Sequence, residues 1–262
     1  MTAPTAPQPL RAPGFGRLVL LHTRFGILET VRIPIAVIGN LIFPGLALVF
    51  FVVPNAQVAD DPVAATSAVA QLALFAVMST FLFTFGAGVA EDRALPFDGY
   101  LRTLPAGVAP RLLARVLTGL LFALASLVPL LLLGALLTAA TVDAGTLGLG
   151  VLVVLAAALP FLMLGLAVGY RLSNKAAIAV VQLLLFPLAF AGGLFLPPQL
   201  FPGWLESLSQ WLPSRAGRDV VVETVTGVQS YPLALPVLLG WALLCTVLAG
   251  LAHRHDEGRR FR

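Results

Sequence analysis

Charged side chains are scarce in this 262-residue chain, of which only 11% are Asp, Glu, Lys or Arg, yet five of them fall in one short segment. That segment is EDRALPFDGYLRTLPAG, at residues 91–107, and it also carries two prolines and a tyrosine. No catalytic motif accompanies it. A GxxxxGK[ST] phosphate loop, an HExxH zinc helix and a GxSxG nucleophile turn are all absent from the sequence.

Residues 97–104 of this segment predict a short amphipathic helix. At 100° per residue, Phe97, Tyr100, Leu101 and Leu104 fall on one side, and the polar residues fall on the other. The prolines before and after it suit a helix start and a helix end. An isolated helix of two turns is unstable in water. It must therefore pack on the bilayer surface or on another protein, and composition alone favours neither.

The other candidates for chemistry are isolated from one another. His253-x-His255 could hold a metal weakly but fits a solvated basic tail better, and the lone Cys245 excludes an internal disulfide. The polar side chains inside the apolar stretches include no general base; they are Gln71, Ser79, Thr80, Thr84, Ser126 and Gln182. The sequence therefore predicts no catalytic residues, no metal and no cofactor bound by this chain.

The elements that position these residues are predicted to be membrane helices, since 59% of the chain is hydrophobic. Stretches without Asp, Glu, Lys or Arg each exceed the ~20 residues that a spanning helix needs; they are 33–59, 62–90, 116–142, 144–170, 176–205 and 224–253. We expect an all-α polytopic membrane protein, with a single transmembrane domain over 1–262. Its six spans are predicted at about 33–54, 63–89, 112–140, 146–170, 176–197 and 232–252.

The distribution of basic residues predicts the orientation. Fourteen of the sixteen Lys and Arg residues lie in the amino-terminal arm (1–32), the loops after the second and fourth spans, or the tail. The positive-inside rule then places both termini in the cytoplasm. Within the arm, residues 15–32 fit either a helix at the membrane interface or a merely basic flank. No buried acid or histidine suggests a proton relay, so energy for uphill transport would come from a partner.

The outer end predicts an amphipathic helix at 204–212, whose apolar face includes Trp204, Leu208 and Trp211. This face suits the outer headgroup zone, where it fits a passive interfacial anchor. The next residues, 215–227, are of mixed charge and are placed outside the membrane.

Small residues and prolines inside the spans predict close helix approach or kinks. They suit a homodimer contact, a lateral substrate path or internal packing; they are Gly165, Gly169, Pro187, Gly192 and Gly193.

Three stretches resemble the type-2 ATP-binding-cassette (ABC) exporter permeases. Residues 90–120 resemble the cytoplasmic loop of that family, with a charged cluster, a short helix and a Leu-Pro. Residues 32–51, RIPIAVIGNLIFPGLALVFF, resemble its first span, and residues 174–213 resemble its fifth span with the outer helices that follow. The text ALPFDG at 94–99 departs from the Gly-Thr-Leu-Glu-like pattern of many members.

The resemblance implies roles for the loop. It would be a coupling helix that docks on a cytoplasmic ATPase. The outer segment would form short re-entrant helices before the last span, with Trp204, Leu208 and Trp211 in an external gate, to which the passive interfacial anchor is an equal alternative. Glu91, Asp92 and Arg93 would orient the end of the second span. The implied site of contact with the ATPase partner comprises these three residues together with Phe97, Tyr100, Leu101, Arg102, Leu104 and Pro105.

The resemblance also implies the function. We expect the permease subunit of an ATP-driven exporter in the cytoplasmic membrane, moving an amphipathic, drug-like or lipid-like substrate such as a hydrophobic antibiotic. Two permeases, as a homodimer or a paralogous heterodimer, would bind two ATPase chains, which alone would hold ATP and Mg. Lipids but no nucleic acid are expected as partners. The alternative is a non-transporting membrane scaffold or assembly factor; an intramembrane enzyme would need polar catalytic groups that the spans lack.

Overall fold

The computed structural model describes the backbone of residues 14–32, 34–95 and 109–259, and the side chains of 14–32, 41–95 and 109–256. Within these ranges every regular element is helical. Part of the predicted coupling segment lies outside them, namely Phe97, Tyr100, Leu101, Arg102, Leu104 and Pro105. The coupling helix therefore stays a prediction.

The described helices follow one another with short connections. In chain order they are α1 (Phe15–Val31), α2 (Pro34–Ala47), α3 (Ala56–Ala59), α4 (Pro62–Phe81), α5 (Gly88–Ala94), α6 (Ala109–Leu137), α7 (Ala144–Ala157), α8 (Leu159–Arg171), α9 (Asn174–Ala191), α10 (Gly203–Ser209), α11 (Pro213–Thr226) and α12 (Ala234–Arg259). Two π-helical turns, Leu48–Val52 and Leu82–Ala87, continue α2 and α4, and a 3-10 turn lies at Pro198–Leu200.

Five helices among the described residues are long and apolar enough to cross a membrane. They are Pro62–Ala94, Ala109–Leu137, Ala144–Arg171, Asn174–Ala191 and Ala234–Asp256. A shorter apolar helix, Leu41–Val52, falls within the predicted first span. The all-helical, multi-pass class is thus confirmed, and the count of six spans stays a prediction.

The helix Pro62–Ala94, here called the central helix, lies in the middle of the bundle. The most apolar 18-residue stretch of this helix is 72% buried, whereas the corresponding stretches of the other four long helices are 22–44% buried. It packs against α6, α8 and α11, and the π-helical turn lies against α8. A shift at either end of the central helix must therefore be accommodated by several neighbours.

Local sequence explains where the helices begin and end. The Asp61 carboxylate accepts the Ala64 N–H at 2.6 Å ahead of Pro62, which suits the first turn. Asp143 caps α7 in the same way, and its pKa is lowered first by the Thr146 hydroxyl that donates to it. The predicted fifth span, 176–197, is shorter in the structure because Gly193 follows it with φ +75°, a left-handed conformation that glycine favours.

The amino-terminal helix α1 is present and packs along α6. Gly26 permits this approach, since a Cβ there would lie 3.2 Å from the Thr118 hydroxyl. Its other faces carry exposed arginines beside exposed apolar side chains such as Leu20 and Phe25. This mixture suits the headgroup region of a bilayer.

Most of the segment 215–227, which is predicted to lie outside the membrane, is helical. Pro213–Thr226 forms α11, which is largely buried against α4, α7 and α12. Gly227, with φ +72°, ends it. The helix α11 can be buried because its charged side chains form ion pairs with one another and hydrogen-bond to Gln71 of α4.

Candidate functional site

A buried ion pair fixes the Ala94 end of the central helix. Arg93 donates from Nε and Nη2 to Oδ1 of Asp256 on α12, at 3.1 and 2.5 Å. The Asp256 side chain is 4% exposed and that of Arg93 is 20% exposed. We call Asp92, Arg93, Arg115 and Asp256 the Arg93 cluster.

Arg93 also contacts the carboxyl-terminal end of α8. Its Nη1 donates to the backbone carbonyls of Gly169, at 2.7 Å, and Leu172, at 3.3 Å. The last carbonyls of a helix lack intrahelical partners, and a cation there is favoured by the helix dipole. One guanidinium thus joins α5, α8 and α12.

The neighbouring acids of the predicted site lie at the rim of this cluster. Asp92 forms an ion pair with Arg115 of α6, while Glu91 is exposed. The three residues that the sequence predicts to orient the end of the second span therefore include two that bind other helices. Sequence reasoning missed Asp256, which lies in a tail that looked basic and solvated.

A second buried polar cluster lies toward the other end of the central helix. Asp219 on α11 accepts from Arg215 Nε at 2.7 Å and from Arg218 Nη1 at 2.5 Å. Arg218 also donates from Nε and Nη2 to Oε1 of Gln71, both at 3.3 Å. We call these four residues the Arg218 cluster; all are less than 10% exposed.

The Arg218 cluster carries two guanidinium groups against one carboxylate, a formal charge of +1. Gln71 lies nine residues into the central helix, or about 14 Å from its Pro62 end at 1.5 Å per residue. A buried charge costs several kcal/mol unless it is paired and hydrogen-bonded. The signal that could have revealed the cluster was Gln71 itself, a polar residue in an apolar span.

Tyr231 borders the Arg218 cluster. Its hydroxyl donates to the Gln210 carbonyl at 2.6 Å, and its ring lies 5.9 Å from the Arg215 guanidinium carbon. Burial, followed by the negative charge of Asp219, raises the pKa of Tyr231 to about 12. Tyr231 thereby connects the start of α12 to the turn between α10 and α11.

The raised pKa of Tyr231 predicts a loss of stability at high pH. Below pH 10 the hydroxyl is neutral in folded and unfolded chains, and its stabilising effect is complete. Between pH 10 and about 12 the unfolded chain ionises first, so the effect declines. Apparent melting temperatures in detergent should exceed those of Tyr231→Phe at pH 8, and the gap should shrink above pH 10. Parallel pH profiles would contradict this.

The residues of the predicted external gate lie on or next to α10. Trp204 and Leu208 are 70% and 53% exposed, and Trp211, in the turn that follows, is 65% exposed. The Trp211 carbonyl accepts the indole N–H of Trp241, on α12, at 2.8 Å. Their exposed apolar faces can contact lipid or another chain, and their backbone is attached to the last span.

The predicted small residues lie at close helix contacts within the chain. A Cβ on Gly169 would lie 2.6 Å from the Phe85 carbonyl oxygen, and one on Gly165 would lie 3.1 Å from that of Phe81. Gly192 leaves no room for a side chain beside Ser214 of α11. Pro187 lies inside α9 and is exposed.

A small apolar groove lies between α4, α6, α7 and α11. Its lining includes Val69, Leu127, Val151 and Val225, and almost all of the lining surface is apolar. Such a surface suits a hydrocarbon chain. In the described residues, no group of three or more His, Cys, Asp or Glu side chains is placed to hold a metal ion.

Comparison with known proteins distinguishes a transport subunit from a membrane scaffold or an intramembrane enzyme. Residues 17–225 match the family described as ABC-2 type transporter. The chain belongs to the ABC-2 type transporter family. It is also 25% identical, over 222 residues, to the "Putative transport permease YvfS" of Bacillus subtilis (strain 168), an alignment covering 84% of this chain and 91% of the relative.

Family membership gives the broad role. This ABC-2 chain is a membrane transport subunit and not itself an enzyme, and an ABC-type ATPase is the partner that the family implies. The match includes the central helix with Arg93, the segment 96–108 and α11. Asp256 lies beyond the matched residues.

Proposed function

We propose that this chain is the permease subunit of an ATP-driven exporter in the cytoplasmic membrane. It moves an amphipathic, drug-like or lipid-like substrate, and a separate ATPase supplies the energy. The observation that carries the proposal is the family match over residues 17–225. The apolar groove and the exposed apolar faces of the long helices support a substrate with a large apolar part.

The proposed complex contains two permease chains and two ATPase chains, with ATP and Mg bound only by the ATPases. Both permease termini and the segment 96–108 face the cytoplasm. The segment is the coupling helix, with Leu101 and Leu104 inserted into the ATPase. The bonds from Arg93 to two other helices, α8 and α12, support this, because they connect the end of the central helix, next to this segment, to the rest of the bundle.

The double variant Leu101→Asp, Leu104→Asp tests the coupling role. We expect normal membrane insertion, but loss of substrate-stimulated ATP hydrolysis and of export, because two carboxylates would have to be desolvated in an apolar contact. The measurement uses proteoliposomes with the co-purified ATPase. Thr103→Asp, on the opposite face of the predicted helix, is the matched control. Unchanged stimulation and export in the double variant would refute the proposed contact.

Thiol labelling tests the orientation. The single native cysteine, Cys245, is 1% exposed and can be replaced by alanine. A membrane-impermeant maleimide should label Gln57→Cys in intact cells, and Ala94→Cys only after permeabilisation. Both native side chains are exposed. The reverse pattern would place the Arg93 end outside and overturn the proposed attachment of a cytoplasmic ATPase.

A further inference from the structure

The last span, α12, connects the two ends of the bundle. Near its carboxyl-terminal end, Asp256 accepts two hydrogen bonds from Arg93, and the ring of His253 lies 4.9 Å from that of Tyr170 on α8. Near its amino-terminal end, the Trp241 indole N–H donates to the Trp211 carbonyl. One continuous helix thus contacts both the end of the central helix and the turn beside the proposed external gate.

From these contacts we infer that α12 is a lever, and that Asp256 and Trp241 are the positioning residues at its two ends. The inference rests on the proposed function. Motion of the segment after Arg93 reaches α12 through Asp256, and reaches residues 210–211 through Trp241. From Asp256 to Trp241 is fifteen residues, or about 23 Å of helix.

The character of the two attachments suits a lever. A buried ion pair adds little net stability compared with an apolar pair, but breaking it leaves an uncompensated charge. Arg93 and Asp256 therefore move together more cheaply than they separate. At the other end, the Trp241 N–H donates to the backbone carbonyl of Trp211. Movement of α12 therefore displaces the backbone at Trp211 and not only a side chain.

The path follows a peripheral helix, since the most apolar stretch of Ala234–Asp256 is 22% buried against 72% for the central helix. The central helix is held by α6, α8 and α11 along its length, and sliding it would disturb all of these contacts. Tyr231, which precedes α12 and donates to the Gln210 carbonyl, adds a second attachment to the same turn. Because α12 packs most extensively on α8, displacement of these two helices together can move the α10–α11 turn.

The test measures how fast a thiol reagent labels a cysteine on α10 while the partner ATPase is trapped with nucleotide. Ser207→Cys, on exposed α10, is introduced with Cys245→Ala, and its labelling rate is measured in proteoliposomes containing the co-purified ATPase. In this background, trapping with ATP and vanadate should change the labelling rate ~5-fold or more, the lower range of allosteric couplings. Asp256→Asn should abolish that change, and Trp241→Phe should reduce it at least ~2-fold because Tyr231 still holds the same turn, while basal hydrolysis and co-purification of the ATPase persist.

Controls separate the lever from other failures. His255→Ala changes an exposed neighbour of Asp256 and should leave the response intact. Trp241→Phe removes one hydrogen bond and keeps an aromatic ring, so it remains informative if Asp256→Asn fails to fold. A full response in Trp241→Phe, or no response in the parent protein, overturns the lever. Failure of any ATPase to bind the parent protein overturns the proposed function and the lever with it.

Discussion

Replacing Asp219 by asparagine is expected to destabilise the protein by about 3–5 kcal/mol, the usual cost of removing one partner from a buried ion pair. Asp219 is the acid between Arg215 and Arg218, and the substitution leaves two buried guanidinium groups without a counter-charge. The shape of the side chain is almost unchanged. The loss therefore measures charge rather than packing.

The measurement is the apparent melting temperature of detergent-solubilised protein, followed by size-exclusion chromatography after heating. Glu223→Gln is the matched control, because it removes the same charge from an exposed position on the same helix. The Oε2 of Glu223 accepts the N–H and the hydroxyl of Ser230, bonds that the glutamine carbonyl oxygen can keep, so we expect a loss of at most about 1 kcal/mol. Equal losses in the two variants would show that overall charge, and not the buried cluster, is responsible.

Gln71 offers a rescue of the Asp219 variant. Gln71→Glu places a carboxylate where Oε1 already accepts two hydrogen bonds from Arg218. Alone, it lowers the formal charge of the cluster from +1 to zero and should not destabilise the protein. Combined with Asp219→Asn, it restores one negative charge and should recover part of the lost stability. Additive losses would contradict the proposed coupling.

The Arg218 cluster is a feature that the sequence alone did not predict. Stretches without charge predict spans because a hydrocarbon core has a fixed thickness and excludes ions. By that criterion, α11 belongs in water, since it carries two arginines and two acids. Its burial depends on Gln71, which is 147 positions from Arg218. A local pattern does not specify such a partner.

Asp256 shows the same limit at the other end of the bundle. Its neighbours in sequence are basic, and the local pattern describes a solvated tail. Its partner Arg93 is 163 positions away. By contrast, the all-helical, multi-pass class is predictable from sequence, because an apolar stretch long enough to span a membrane is a local property of the chain. The role assigned to residues 97–104 came from resemblance and stays a prediction.

Gly169→Ala is expected to destabilise the protein by about 1–3 kcal/mol through overpacking. The added Cβ would lie 2.6 and 2.8 Å from the carbonyl oxygens of Phe85 and Gly86, and 2.8 Å from the Val89 Cβ. Two of these atoms belong to the backbone of the π-helical turn and the third is a branched carbon. Relief therefore requires α8 and the central helix to separate.

The matched variants are Gly165→Ala and Gly148→Ala, compared by apparent melting temperature. At Gly165 the nearest atoms are 3.1–3.2 Å away, so a smaller loss is expected; at Gly148 nothing lies within 4 Å, and alanine should stabilise the helix by up to ~1 kcal/mol. Because the Gly169 carbonyl accepts from Arg93, separating these helices also loosens the Arg93 cluster. Gly169→Ala should then weaken the ATP-dependent change in labelling at Ser207→Cys, while Gly148→Ala preserves it. If Gly169→Ala and Gly148→Ala are equally stable, the close contact between α8 and the central helix is not what holds this end of the bundle.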